Sequence, residues 1–342
     1  MVNGGFKEGG ICELEFEPEF FHKEVRCGFE ISEMMKRAWA AELEVLQVVA
    51  EICERRGLQY FADWGTLLGA VRHQGFIPWD DDIDICLKRE EYMELIRILP
   101  QELPKGFAMG GIFAETDQLR ELCGFLKVIA DDTWDINDYM KRFHGFPYQR
   151  IGVDIFPLDY MPLDKELIEL QEVILLYGAA ILQNWSEYEE KGELEHRLQY
   201  MEQLCNATIP RNDTTKIYLW KIMDSIKTIY RADEADEIVE YQYFISGSEK
   251  PSKKEWYDNA VMLPFEHTEI AVPCAYHEVL TAKFGDYKTP DKSYRSHQYP
   301  FYRSKEKNLI NNIRATGFRG TVEEFCQKVC SGELRIEINR KG

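Results

Sequence analysis

Between residues 75 and 86 the chain reads GFIPWDDDIDIC, with Asp80, Asp81, Asp82 and Asp84 running directly into an apolar segment. Carboxylates this close repel one another, and each costs free energy when withdrawn from water unless something positive meets it. The run is therefore either a solvated turn or the edge of a cation site. In a strand alternate side chains share a face, so Asp82 and Asp84 point the same way about 7 Å apart, with Ile83 and Ile85 on the other side. Two such carboxylates suit a hard divalent cation. An EF-hand spacing is present in outline, with Asp80, Asp82 and Asp84 at its first, third and fifth positions and Glu91 at its twelfth. The glycine needed at the sixth is Ile85, however, and GFIPW is no helix.

The surrounding pattern favours the strand. Residues 58–63 (LQYFAD) form a short strand candidate that passes through a tight turn into the helical WGTLLGAVR. Gly65 and Thr66 open that helix, where free N–H groups and the helix dipole favour an anion such as phosphate. After the acids, 83–87 is a second strand and Arg89 to Leu99 a helix. Two more strands are expected at 124–130 (GFLKVIA) and 152–158 (GVDIFPL), the latter carrying Asp154 between Val153 and Ile155. Asp82, Asp84 and Asp154 thus read as acids on adjacent strands, able to hold one or two metals.

Elsewhere the pattern is helical. Ser32 caps an amphipathic helix that stops at Gly57, and a terminal helix is expected at 322–330. The aromatic segment 133–150 reads as loop, and residues 164–245 as several helices on the spacing of Leu167, Leu170, Ile174 and Tyr177. The turn-rich, basic 250–256 reads as a linker. This divides the chain into an arm (1–30), a catalytic core (31–163), a helical lobe or lid (164–249) and a C-terminal segment packed back on the core (250–342).

A net charge of -19 argues against nucleic acid as the main partner, because duplex binding needs a basic face. Nine cysteines without a CxxC pair read as reduced thiols in a cytoplasmic protein. MVNGGFKEGG lacks the apolar centre of a signal peptide, so the sequons at Asn206 and Asn212 read as chance matches. The apolar run Val173 to Leu182 is about half of what a membrane span needs.

The block Trp64 to His73 (WGTLLGAVRH), followed by Gly75 to Asp84, resembles the signature of the LicD family, which includes bacterial phosphocholine transferases and is similar to fukutin-type proteins. Val153 to Asp159 (VDIFPLD) is similar to the family's second signature. Lys127 and Thr133 fall where the family commonly has a strand lysine and a following threonine. Phe265-Glu266, Val272-Pro273, Tyr276 and Phe284 to Tyr287 extend the resemblance to roughly residue 300. It implies an α/β (α+β) fold of the polymerase-β-type nucleotidyltransferase superfamily, a mixed sheet flanked by helices, to which the helical lobe is added.

It also implies metal-dependent transfer of phosphocholine from CDP-choline to a hydroxyl of a bacterial cell-surface glycan or teichoic acid precursor, lipid-linked or free, with CMP leaving. Magnesium or manganese would be held by Asp82, Asp84 and Asp154, the last as ligand or as proton acceptor. Gly65, Thr66, Arg72, Lys127 and His297 would bind substrate or phosphate, with Arg295 beside them. A quaternary ammonium is recognised by ring faces, and Trp79, Trp134, Tyr139 and Tyr148 are the aromatics nearest the motifs. Alternatives are a phosphoalditol from a CDP-alditol, a nucleotidyl group, or a silent nucleotide-binding protein; the intact triad of acids argues against silence.

Overall fold

The computed structural model describes residues 13–120, 122–290 and 299–336. A small hairpin, β1 (Glu24–Arg26) and β2 (Phe29–Ile31), leads into α1 (Glu33–Arg56). The Ser32 hydroxyl accepts a hydrogen bond from the Met35 amide (3.1 Å), and Gly57 ends the helix at a φ of 67° that glycine adopts without strain. The apolar face, with Met35, Ala38, Trp39, Val49 and Ile52, is buried. It packs across the central sheet.

That sheet is built from β3 (Phe61–Ala62), β4 (Asp84–Lys88), β5 (Phe107–Gly110), β6 (Leu126–Ala130) and β7 (Gly152–Tyr160), in spatial order β3-β4-β7-β6-β5. Between the first two runs α2 (Trp64–His73), and after β4 comes α3 (Arg89–Glu102). Only β4 and β7 pair in parallel along that order; the other neighbours are antiparallel. The mixed sheet flanked by helices is the fold class expected from the sequence. Val153 and Ile155 of β7, with Ile85 and Leu87 of β4, are fully buried.

Helices Lys165–Gln183, Trp185–Glu190, Leu194–Cys205 and Thr215–Lys227 make the lobe. It has its own small core around Leu175, Ile181, Met201 and Leu219. Within residues 164–249 the chain also returns to the sheet: β8 (Glu237–Val239) pairs with the far end of β7 and with β9 (Ser252–Lys253). A buried fork fixes lobe to core. Arg89 gives two hydrogen bonds to Asp159 (2.6 and 2.9 Å) and reaches Asp224 of the lobe at 3.1 Å.

The C-terminal segment adds a hairpin, β10 (Ala260–Phe265) and β11 (Thr268–Pro273), then helix Tyr276–Phe284, which packs on α2. The terminal helix Val322–Cys330 falls where periodicity put it, with Thr321 and Glu324 capping it reciprocally. Some details differ from the sequence reading. Strand β5 was not foreseen, and the aromatic 133–150 stretch contains helix Ile136–Arg142. Asp135 caps that helix by accepting from the Asn137 amide (2.9 Å), and Tyr139 and Met140 are buried from it. The cysteines among the described residues are all free thiols.

Candidate active site

Strand register makes the site. In the parallel pairing of β4 with β7, Asp84 lies opposite Asp154, and in the antiparallel pairing of β6 with β7, Lys127 lies opposite the same Asp154. Directly opposed residues share a face, so three neighbouring strands present carboxylate, carboxylate and ammonium in one row. Lys127 Nζ stands 2.5 Å from Asp154 Oδ1. Strand β4 begins at Asp84, so Asp82 sits in the extended run into it and not on the strand itself.

The charges in the row are under tension. Burial raises the Asp84 carboxyl well above its ordinary range, and Asp82, Asp154 and Asp80 add to it by like-charge repulsion. Burial also raises Asp154, with Lys127 pulling it back. Lys127 is held above the usual lysine range because Asp154 outweighs the burial that works against its charge. Neighbouring carboxylates under mutual repulsion suit a hard divalent cation, since its charge relieves the repulsion and carboxylates are its preferred ligands.

The start of α2 is built against these acids. Thr66 is buried, and its hydroxyl accepts from the Asp84 amide (2.9 Å), tying the helix to the first residue of β4. Gly65 lies close against the acidic run. A Cβ there would lie 2.2 Å from Asp80 Oδ2, so a side chain would push the Asp80 carboxylate aside. Asp63 caps the helix through the Trp64 amide (2.8 Å). Asp80, Asp81 and Asp82 each offer a carboxylate oxygen within 4.8 Å of the others.

Behind α2 lies a clamp that sequence reasoning missed. The buried side chain of Lys283 pairs with the Asp63 carboxylate and, at 3.1 Å, with Glu249. Its ammonium also stands 4.2 Å from the centre of the Trp64 ring, and Trp64 Nε1 donates to Glu240 (3.1 Å). Burial and then Glu249 raise the Glu240 carboxyl well above its ordinary value, whereas Asp63 and Glu249 hold Lys283 charged against the effect of burial. Trp64 itself takes a positive φ of 42°, a strained start that this clamp holds in place.

An aromatic wall runs from the clamp to the row. Trp64 packs on Tyr243 at 4.3 Å between ring centres, Tyr243 meets Phe156 at 6.0 Å, and Phe156 meets Phe125 at 4.5 Å. Phe156 is two residues beyond Asp154 and Phe125 two before Lys127, so both rings lie on the face of the row. Lys127 Nζ is 5.7 Å from the Phe125 ring. Periodicity could have shown Phe125 and Phe156; nothing local marked Tyr243.

The aromatics nominated by nearness in sequence have other partners. Tyr139 is fully buried and donates to the Tyr148 carbonyl (2.7 Å), while Tyr148 stacks on Tyr302 at 4.9 Å. Trp134 donates to the Gly106 carbonyl (2.6 Å), and Trp79 meets the edges of Phe29 and His73. Arg72 reaches the Tyr287 carbonyl at 2.8 Å and so joins α2 to the C-terminal segment. Thr133 hydrogen-bonds Asp131 in a turn. His297 and Arg295 lie outside the described residues.

Residues 57–162, which carry the whole row, match the family model described as LicD/FKTN/FKRP, nucleotidyltransferase domain. The stretch is a LicD-family domain. Over 262 residues the chain is 26% identical to the lipopolysaccharide cholinephosphotransferase LicD of Haemophilus influenzae, covering 75% of this chain and 92% of that protein. An uncharacterized protein of Rickettsia typhi is 36% identical over 129 residues, 38% of this chain and 37% of its own. The human ribitol 5-phosphate transferase FKRP is 40% identical over 48 residues, 14% of this chain and 10% of its own. Among the described residues no helix is long and apolar enough to cross a membrane.

Proposed function

We propose that this LicD-family enzyme transfers phosphocholine from CDP-choline to a hydroxyl of a bacterial cell-surface glycan or teichoic acid precursor, releasing CMP. The observation that carries this reading is the row Asp84, Asp154 and Lys127 set beside an aromatic wall. Asp82, Asp84 and Asp154 would hold magnesium or manganese. Such an ion supplies positive charge against the diphosphate as negative charge gathers on the departing CMP. Lys127 adds a second positive charge at the same phosphate. Thr66 keeps Asp84 in position, and Gly65 leaves the opening of α2 accessible to phosphate oxygens.

The acceptor oxygen forms the new bond to phosphorus while the bond to the CMP oxygen breaks, and the acceptor's proton is lost to the medium. The partly exposed rings of Tyr243 and Phe125, backed by buried Phe156, offer apolar surface to a trimethylammonium group, which cannot be held by hydrogen bonds. That wall supports choline over an alditol, whose hydroxyls would need polar partners. Similarity to the Haemophilus cholinephosphotransferase over most of both chains supports the same choice.

CMP release from CDP-choline with magnesium and a cell-envelope glycan acceptor, in wild type and Asp82→Ala, tests the reading. Release by wild type that is lost in the variant is expected. Equal release by both would remove Asp82 from the metal site. Release from a CDP-alditol but not from CDP-choline would replace the donor while keeping the row.

A further inference from the structure

Glu240 is 2% exposed, although the stretch around it reads as solvated surface. A carboxylate held out of water needs partners, and those of Glu240 lie in three directions. Its Oε2 accepts from Trp64 Nε1 at the start of α2 (3.1 Å). Its amide donates to Glu249 Oε2 (3.3 Å), on the carboxylate whose other oxygen pairs with Lys283. Its carbonyl accepts from the amides of Tyr243 (3.1 Å) and Phe244 (3.0 Å), opening the short helix Tyr241–Ile245. One residue thus holds the Trp64 ring by its side chain and carries Tyr243 by its backbone.

Those two rings lie against each other, 4.3 Å between centres. Indole has a single N–H donor, so its hydrogen bond to a buried carboxylate sets the rotation of the Trp64 ring, which Phe284 meets edge-on at 6.1 Å. Tyr243 rests on that ring and is partly exposed beside Phe156, two residues beyond Asp154. A shift of the Trp64 ring therefore passes to Tyr243. The row has separate supports: strand register fixes Asp84, Asp154 and Lys127, while Asp63 and Thr66 hold the opening of α2 through other bonds.

We propose that Glu240 is a positioning residue for selection of the donor's head group: through Trp64 and Tyr243 it fixes the apolar surface that prefers trimethylammonium to a primary ammonium. Ring faces satisfy the first, whereas the second carries N–H groups that need acceptors. The proposal rests on the phosphocholine reading. Glu240 and Tyr243 lie beyond the family match, which ends at residue 162, so head-group selection falls to the segment that returns from the lobe.

CMP release at varied CDP-choline and CDP-ethanolamine, with magnesium and one fixed acceptor, tests the assignment in wild type, Glu240→Met and Glu240→Gln. Methionine keeps the bulk but offers no oxygen to the indole; glutamine keeps one. Glu240→Met should raise KM for CDP-choline about tenfold, the scale of one lost buried hydrogen bond, with kcat within about twofold. Its preference for choline over ethanolamine in kcat/KM should fall about tenfold as well. Glu240→Gln should return KM to within about threefold of wild type. Should Glu240→Met fail to fold, Trp64→Phe, which keeps a ring without the N–H, should give the same KM shift. Equal losses on both donors, a fall in kcat at unchanged KM, or a Gln variant as impaired as the Met variant would overturn the proposal and leave the phosphocholine reading standing. An unchanged KM in Trp64→Phe would do the same. A wild type that releases CMP only from a donor other than CDP-choline would overturn both.

Discussion

The sheet core and the helical lobe handle charge and apolar surface in opposite ways. Around the sheet, two ionic clusters are buried and matched, Arg89 with Asp159 and Lys283 with Asp63 and Glu249, and Lys127 with Asp154 is half-buried. On the lobe the ion pairs lie at the surface, as in Lys191 with Glu187, while large apolar side chains face outward. Leu170 is 53% and Val173 60% exposed on the helix Lys165–Gln183. Buried pairs fix geometry because breaking one leaves a charge without compensation, whereas surface pairs hold little. The comparison locates rigidity: it is concentrated where α2 and β4 meet, within the stretch matched to the LicD family, and it falls away across the lobe that lies beyond that match.

The largest effect should come from the row. Asp84→Asn keeps the volume but removes a charged ligand, and should lower CMP release by about 10²- to 10³-fold, the scale of losing one preorganised electrostatic group. Leu170→Ser on the lobe should leave the rate unchanged, and initial-rate kinetics on the two variants compare the regions directly. A smaller loss from Asp84→Asn than from Leu170→Ser would invert the contrast.

The clamp comes next. Lys283→Met strips the countercharge from Asp63 and Glu249, and should cost about 3–5 kcal/mol in denaturant unfolding. Lys191→Met on the lobe should leave the unfolding midpoint where it was. Equal midpoints for both variants would mean that the buried cluster contributes no more than a surface pair.

A third effect depends on pH. Burial and the charges of Arg72 and Arg26 push the His73 imidazole down to about 4, against a weaker opposite pull from Glu266; Cys27 approaches its other ring nitrogen. The unfolded chain takes up the proton first, near pH 6.5. The stabilisation associated with neutral His73 is therefore complete above about 6.5 and is lost as pH falls toward 4. His73→Gln should flatten that part of the stability profile, and an unaltered slope would remove His73 as its source. Smallest of all, Leu170→Ser should shift stability by less than about 0.5 kcal/mol, where Ile155→Ala in the core should cost about 2–5 kcal/mol.

What could be read in the sequence follows the range of the forces involved. Helix α1 was legible because Ser32, Gly57 and the apolar period are local signals. So was the acid pair, since alternation around Asp84 and Asp154 marks half-buried strands. The parallel pairing that sets Asp84 against Asp154 was not, because β5 and β6 intervene in the chain and no local pattern states register. The clamp was hidden for a related reason. Lys283 and Asp63 are 220 residues apart, and Glu240 and Glu249 lie in and beside a glutamate-rich stretch that reads as solvated surface. Nearness along the chain also misdirected attention among the aromatics. Tyr139 and Tyr148 lie in an aromatic segment close to the motifs yet point into the core, whereas Tyr243 reaches Phe156 from beyond the lobe helices.

Metal dependence tests the central claim most directly. CMP release from CDP-choline would be followed after stripping the protein with a chelator, after adding magnesium back, and in Asp84→Asn treated the same way. The row described here predicts that release stops on chelation, returns with magnesium in wild type, and does not return in the variant. Release that continues at the same rate through chelation, or that magnesium restores equally in Asp84→Asn, would contradict it.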